Sequence, residues 1–409
     1  MYINKVHVTN IKVFDNQVFD FEGKPGWHVL IGDNGTGKST LLKLLSISLV
    51  GIIDLYESYT DSLDWVRSGS VLAKFGIVKT LNRQYDTLNN GTTKEEVTTE
   101  IRQVGGLKMS SGFNNGKKLK GHFSCAFGSY RQIGNKTTAK KNKDNFRRID
   151  AHITLFDNSY SLNHALDWLQ QLKFEVLDKE LRNDTFEALI TFINDSDLLP
   201  NKVKLDNISS KGVFFKDSQN NIIDIYSMSD GYQTVFSLVL EIIRQLTLQY
   251  AFADVFADEN IHANKISLPG VVLIDEIDIH LHPSWQAEIG FWMTKFFPNI
   301  QFIVTTHSPI ICRAGRDATI WKLEHSNSEM KTRKIEGLDL KRLIYGNILE
   351  AYGTELFGTG VTRSNNAKKM LEEQAFLTSK SIQHKLTVDE EQELERLKKT
   401  FISDDTFEF

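Results

Sequence analysis

The residue pattern specifies an α/β core joined to an antiparallel β subdomain, with a helical lobe and a helical C-terminal extension. Three observations carry this. Residues 26–50 read as a short strand, a glycine-rich loop and an apolar helix. Two further apolar strands, "VVLIDE" from Val271 and "IQFIVTTHS" from Ile300, flank a segment that places Trp285, Ile289, Trp292 and Phe296 on one helical face. Residues 155–250 are dominated by helical periodicity. Short buried strands alternating with helices predict a parallel sheet covered by helices.

Taken in order, the first 31 residues alternate like antiparallel strands, with Val6 and Val8 separated by His7, and Phe19 and Phe21 by Asp20. "WHVLIG" is a buried strand, "GDNGTGKST" the loop from Gly32 to Thr40, and "LLKLLSISLV" the helix after it. Residues 85–148 are rich in Asn, Gly, Thr and Lys and end in "NKTTAKKNKDNFRRID", which predicts mostly loop or insertion. "LNHALDWLQQL" and "YQTVFSLVLEIIRQL" read as helices, with a β excursion between them at "VKLDNISSKGVFFKDSQNNIIDIY". After the core strands come strands near 318–335 and charged amphipathic helices, then the acidic tail "SDDTFEF". The expected division is 1–150, an N-terminal lobe with a basic insertion; 151–250, a helical lobe; 251–335, the rest of the core; and 336–409, the extension.

Composition narrows the function classes. A formal charge of -4 gives no global attraction to nucleic acid, so such a partner needs a local basic patch; Lys136 to Arg148 is the candidate, although lysine- and asparagine-rich loops are commonly just solvated. Cys125 and Cys312 are far apart and form no CxxC pattern, which argues against a disulfide framework or zinc knuckle. The N-terminus lacks the apolar core of a signal peptide, and no apolar run reaches the ~18 residues of a membrane span. The expectation is a cytoplasmic protein with no membrane partner.

The loop from Gly32 to Ser39 fits G-x-x-x-x-G-K-[ST] at every fixed position. Gly32, Asn34, Gly35 and Gly37 let backbone N–H groups curl around a phosphate, Lys38 reaches the β and γ oxygens of ATP, and Ser39 ligates Mg²⁺, with Thr40 beside it. Asp275 and Glu276 end a buried strand. Read alone, such a pair is a helix cap or solvated turn; downstream of a phosphate loop, the first acid supports the Mg²⁺ shell and the second polarises the attacking water. His280 and His282, at i and i+2 with no spaced third ligand, read as polar contacts at a subunit face rather than metal ligands. In "SMSDGYQ", Ser229 and Gly231 open a long helix, either as an anion site or as a simple N-cap by Ser229 or Asp230. In "VTTHSP", His307 ends a strand where it can bond a γ-phosphate or its water.

Together these four stretches resemble the ATP-binding cassette (ABC) ATPase superfamily, with "SMSDGYQ" as the signature loop, "VVLIDEIDIHLHP" as Walker B with its D-loop, and "VTTHSP" as the switch histidine. The resemblance implies an ABC ATPase head with ATP and Mg²⁺ as cofactors. It implies a homodimer or higher assembly in which Ser229 and Gly231 of one copy close over ATP held by Lys38 of the other, with Glu276 and His307 acting in hydrolysis. The signature departs from Leu-Ser-Gly-Gly-Gln at Met228, Asp230 and Tyr232, which bears on affinity for the γ-phosphate. "HLHP" is similar to the cytosolic RecF, SMC and OLD group. The ~190 residues between loop and signature lack SMC heptads, and no acid cluster like that of OLD nucleases follows His307. "CAFGSYRQI", "TLFDNSYSLNHALDWLQQL" and the C-terminal region from "ILEAYGTELFG" onward resemble the PtuA group of Septu-type and retron-linked anti-phage ATPases. That resemblance implies control of a separate HNH-type nuclease. The alternative is a RecF-like nucleotide-gated DNA-binding ATPase in repair, with no nuclease partner.

Overall fold

The computed structural model describes residues 1–50, 65–81, 94–102, 107–109, 122–131, 133, 148–178, 183–199, 201–257, 260, 264–328, 330–346, 351, 356, 365–383 and 386–400. Two compact units are present, Met1–Gly346 and Asn347–Phe409.

In the first unit, β1 (Tyr2–Ile11) and β2 (Phe14–Asp20) form a hairpin, followed by β3 (Gly26–Ile31) and α1 (Lys38–Val50). β4 (Leu72–Thr80), β5 (Lys94–Arg102) and β6 (Leu107–Met109) follow, completing an antiparallel sheet of order β2-β1-β4-β5-β6. The alternation read from the sequence has its physical origin here: Val6, Val8 and Phe19 point inward and are fully buried, while His7 lies across from Val18 on the outer face. Next come β7 (Phe123–Phe127), α2 (Asn163–Leu177) and α3 (Asn183–Asp195). The β excursion is a three-stranded sheet of β8 (Lys204–Ser209), β9 (Gly212–Lys216) and β10 (Ile222–Asp224), followed by α4 (Asp230–Gln249). β11 (Gly270–Ile274), α5 (Pro283–Phe296), β12 (Ile300–Thr306), β13 (Ile320–Lys322), β14 (Arg333–Lys334) and α6 (Gly337–Tyr345) complete the unit.

The core sheet has the order β14-β13-β3-β12-β11-β7. Its five strands from β13 to β7 pair in parallel, with β14 antiparallel at the edge. β7, β11 and β12 are buried at every position, as expected for parallel strands covered on both faces. Each fully buried Val, Leu, Ile or Phe in them contributes about 1.5–3 kcal/mol relative to exposure. The register sets the site: Ile31 pairs with Thr306 and Ile274 with Val304, so β3, β12 and β11 end at one edge. Open α/β sheets bind ligands outside the carboxyl ends of their strands.

One expectation is corrected. Residues 85–148 are not mostly loop where they are described: β5 pairs with β4 along nine residues, and β7 is a core strand paired with β11 from Phe123 to Phe127. Tertiary pairing overrides the polar flanks, because "FSCAF" is too short to show its own periodicity. Of the basic run Lys136 to Arg148, all but Arg148 lies outside the described residues, as does the tail "SDDTFEF".

In the second unit, α7 (Asn365–Gln383) and α8 (Val388–Thr400) pack through Leu377, Leu394 and Leu397, with Met370 and Leu386 against them. An ion pair joins Lys380 to Glu390.

Candidate functional site

The loop between β3 and α1 is shaped by glycines at backbone angles that side chains resist. Gly32, Gly35 and Gly37 have φ of 156°, 80° and 98°. A Cβ on Gly32 would lie 2.6 Å from the Leu323 carbonyl oxygen, and one on Gly37 would lie 2.6 Å from Val13 Cγ2 and 2.7 Å from Phe14 Cζ. The hairpin turn and the segment after β13 therefore press on the loop from two sides, and only glycine fits at both points. Asn34 and Gly35 are exposed, while Ser39 and Thr40 are half-buried at the start of α1. Lys38 is buried, and its Nζ donates to the carbonyls of Gly32 at 2.7 Å and Asp33 at 3.0 Å. Burial lowers its pKa, and the nearby charges of Asp275, Glu276 and Asp33 oppose that shift.

Asp275 follows β11 and is 6% exposed. The Thr305 hydroxyl donates to Asp275 Oδ1 at 2.6 Å and accepts from the Glu276 N–H at 2.6 Å. The Asp275 N–H donates to Phe127 O at 2.8 Å. Glu276 has φ of 48°, a left-handed backbone that turns its half-buried side chain away from the strand direction. Beneath both acids lies Arg131, 1% exposed, whose guanidinium donates to the carbonyls of Gly128 at 2.7 Å, Asp275, and Glu276 at 2.9 Å. Burial lowers its pKa to about 10, held up by Asp275, Asp278 and Glu276. Thr306 donates to Asp278 Oδ1 at 2.6 Å, and half-buried His307 follows directly.

Ser229 takes the N-cap backbone position of α4, yet its side chain makes no capping hydrogen bond. The loop is instead braced by Gln233, whose amide donates to Met228 O at 2.7 Å. Gly231 sits against the turn after Glu276: a Cβ there would lie 2.9 Å from His280 O. Tyr232 packs on Trp285 at 5.0 Å between ring centroids, joining the start of α4 to α5. His280 is exposed with φ of 66°, and His282 caps α5, its Nδ1 accepting from the Ser284 N–H at 3.3 Å.

The sheet edge thus gathers the loop from Gly32 to Thr40, Asp275, Glu276 and His307, as the sequence implies. Ser229 and Gly231 are placed beside the His280 turn; among the described residues no hydrogen bond or ion pair joins them to residues 32–40. Sequence reading missed Arg131, Thr305 and Tyr232 with Trp285. "VTTHS" contains the threonines in plain view, but the carbonyls that Arg131 holds lie 144 and 145 residues away, with no local signal.

Comparison with known proteins agrees. Residues 115–313 match the family model described as "AAA domain, putative AbiEii toxin, Type IV TA system". The chain is 25% identical over 414 residues to the retron Ec83 probable ATPase of Escherichia coli, covering 81% of this chain and 73% of that one. It is 27% identical over 372 residues to the Septu protein PtuA of Bacillus mycoides (strain KBAB4), covering 86% of this chain but only 45% of that protein. Among solved structures, an Smc head bound to the C-winged helix domain of ScpA superposes with a TM-score of 0.50 at 14% identity, over 82% of this chain and 98% of that one, a likeness of fold. No helix among the described residues is long and apolar enough to cross a membrane. Together with the phosphate loop and strand-end carboxylates above, these matches show a chain similar to AAA-domain ATPases, among them PtuA and the retron ATPases.

Proposed function

We propose that this chain is the ATP-hydrolysing subunit of an anti-phage defence system, that two copies close around ATP, and that the closed state controls a separate HNH-type nuclease. The relatives named Septu protein PtuA and retron ATPase support the defence setting. The observation that carries the chemistry is the convergence of the glycine loop, Lys38, Asp275, Glu276 and His307 at one sheet edge.

The residues fit a nucleotide with its metal. Gly32 and Gly37 let the loop main chain close against Leu323, Val13 and Phe14 where any Cβ would collide, and Thr305 fixes one oxygen of Asp275 while its Oδ2 makes no hydrogen bond among the described residues. Ser39 and Asp275 would hold Mg²⁺, which when bound neutralises charge on the phosphate oxygens. Lys38 exchanges its two loop carbonyls for the β and γ oxygens. Glu276 accepts a proton from the attacking water, and His307 bonds the γ-phosphate or that water. The Ser229 side chain makes no capping hydrogen bond, and with the α4 N-terminus it is suited to the phosphate held by a second copy.

The test is a phage challenge of cells carrying this gene with its neighbours. Wild-type protein lowers plaque formation, while Lys38→Ala, by losing ATP binding, and Glu276→Gln, by losing hydrolysis, each restore it. Full protection by both variants would reject an ATP-driven defence role.

A further inference from the structure

The buried guanidinium of Arg131 differs from that of Arg244 in its partners. Arg244 is paired with Glu241 at 2.7 Å. Arg131 takes its charge to 1% exposure and spends its two terminal nitrogens on the main-chain carbonyls of Gly128, Asp275 and Glu276, while Nε has no partner among the described residues. Burying a charge without a bonded counter-ion is costly, and a backbone-only partner set is a poor way to stabilise a core. What the arrangement achieves is geometric. Asp275 and Glu276 are held at every main-chain group the structure resolves in contact: the Asp275 N–H by Phe127 O, the Glu276 N–H by Thr305 Oγ1, and both carbonyls by Arg131. Glu276 alone of these residues has a left-handed backbone, at φ 48°. For a glutamate that conformation costs free energy, and it persists only where its surroundings over-determine it. Arg131 supplies that constraint from the carbonyl side, and Thr305 from the amide side.

We propose that Arg131 is a positioning residue for hydrolysis: by clamping the Asp275 and Glu276 carbonyls, it holds the Glu276 backbone in the turn that aims its carboxylate at the attacking water. This rests on the reading of Glu276 as the group that polarises that water. Arg131 is 1% exposed and commits its terminal nitrogens to main-chain carbonyls rather than to the glycine loop, so its loss leaves phosphate binding by that loop intact and lowers turnover. The clamp needs two donors in a fixed fork, which Lys offers only as a point charge.

The experiment measures phosphate release and nucleotide affinity by calorimetry, with thermal melting alongside, for Arg131→Lys, Arg131→Met, Glu276→Gln and Arg131→Lys combined with Glu276→Gln. The expected result for Arg131→Lys is a nucleotide Kd within about 3-fold of wild type and turnover reduced roughly 10–100-fold, the scale on which misplacement by an ångström acts. Arg131→Met, with no charge, loses at least as much turnover. In the Glu276→Gln background, Arg131→Lys costs no further turnover, because two residues acting through one carboxylate are not additive. Wild-type turnover in Arg131→Lys and Arg131→Met would overturn the proposal. So would a further loss in the double variant equal to that of the single one, which marks a general structural role. If Glu276→Gln itself turns over normally, the reading of Glu276 fails instead, and the two failures are told apart. Should Arg131→Met fail to fold, the Lys variant and its double carry the test alone.

Discussion

In the proposed mechanism, Lys38 and Glu276 act on different states of the same phosphate. The Lys38 ammonium is bonded to Gly32 O and Asp33 O, two acceptors of its own loop, and burial lowers its pKa. A bound nucleotide offers it anionic acceptors in their place, so Lys38 contributes to ground-state affinity. Glu276 contributes where a proton leaves water, in the transition state. Lys38→Ala is therefore expected to weaken ATP binding by about 100-fold or more, the worth of a charge-assisted contact in a partly dry site. Glu276→Gln is expected to bind ATP within about 3-fold of wild type and to lose ~10²–10⁴ in turnover, the range for removing a general base. Calorimetry with phosphate release separates them; equal loss of affinity in both would reject the role assignment.

At the scale of elements, α1 is fixed to its neighbours by buried polar contacts near its C-terminal end. Lys79 donates to Ser48 O at 2.9 Å and His122 to Leu49 O at 3.4 Å, while His152 joins Ser46 of α1, at 2.8 Å, to Ser124 of β7, at 3.1 Å. Burial pushes His152 down to about 3 from 6.5, and His28, within β3, to about 4. Below pH 6.5 the unfolded chain binds protons at these sites and the folded one does not, so stability falls with acidification at about 1.4 kcal/mol per pH unit for each such group, and is fully present above pH 6.5. The melting temperature should drop between pH 7 and pH 5, and His152→Gln, which keeps a donor and an acceptor, should flatten part of that slope. A melting temperature unchanged over this range would contradict the buried neutral imidazole. None of this was legible in the sequence, because His122 and His152 acquire their meaning from α1, with which no local pattern pairs them. The same holds for β7, whose five residues show no period and whose place in the core is set by β11. The phosphate loop, the strand-end acids and the β8–β10 excursion were legible because each is local: glycines at fixed offsets, an apolar run stopping at carboxylates, alternation between turn residues.

At the scale of the whole molecule, every residue of the proposed nucleotide site lies in Met1–Gly346, and the α7–α8 hairpin forms a separate unit with its own small core. Within the first unit, Ser229 heads a 20-residue helix whose start is tied to the His280 turn through Gly231 and to α5 through the Tyr232 and Trp285 rings. The proposed function has such a loop, which makes no hydrogen bond to its own phosphate loop among the described residues, completed by a second copy. Sedimentation across a dilution series measures that claim most directly. Glu276→Gln protein with ATP and Mg²⁺ is predicted to form a dimer of twice 46.7 kDa at least ~10-fold tighter than the nucleotide-free protein, since ligand that binds only the dimer shifts the equilibrium by mass action. Adding Ser229→Arg should erase the difference by placing bulk where the opposing phosphate must sit. One dissociation constant shared by all three states would contradict the account.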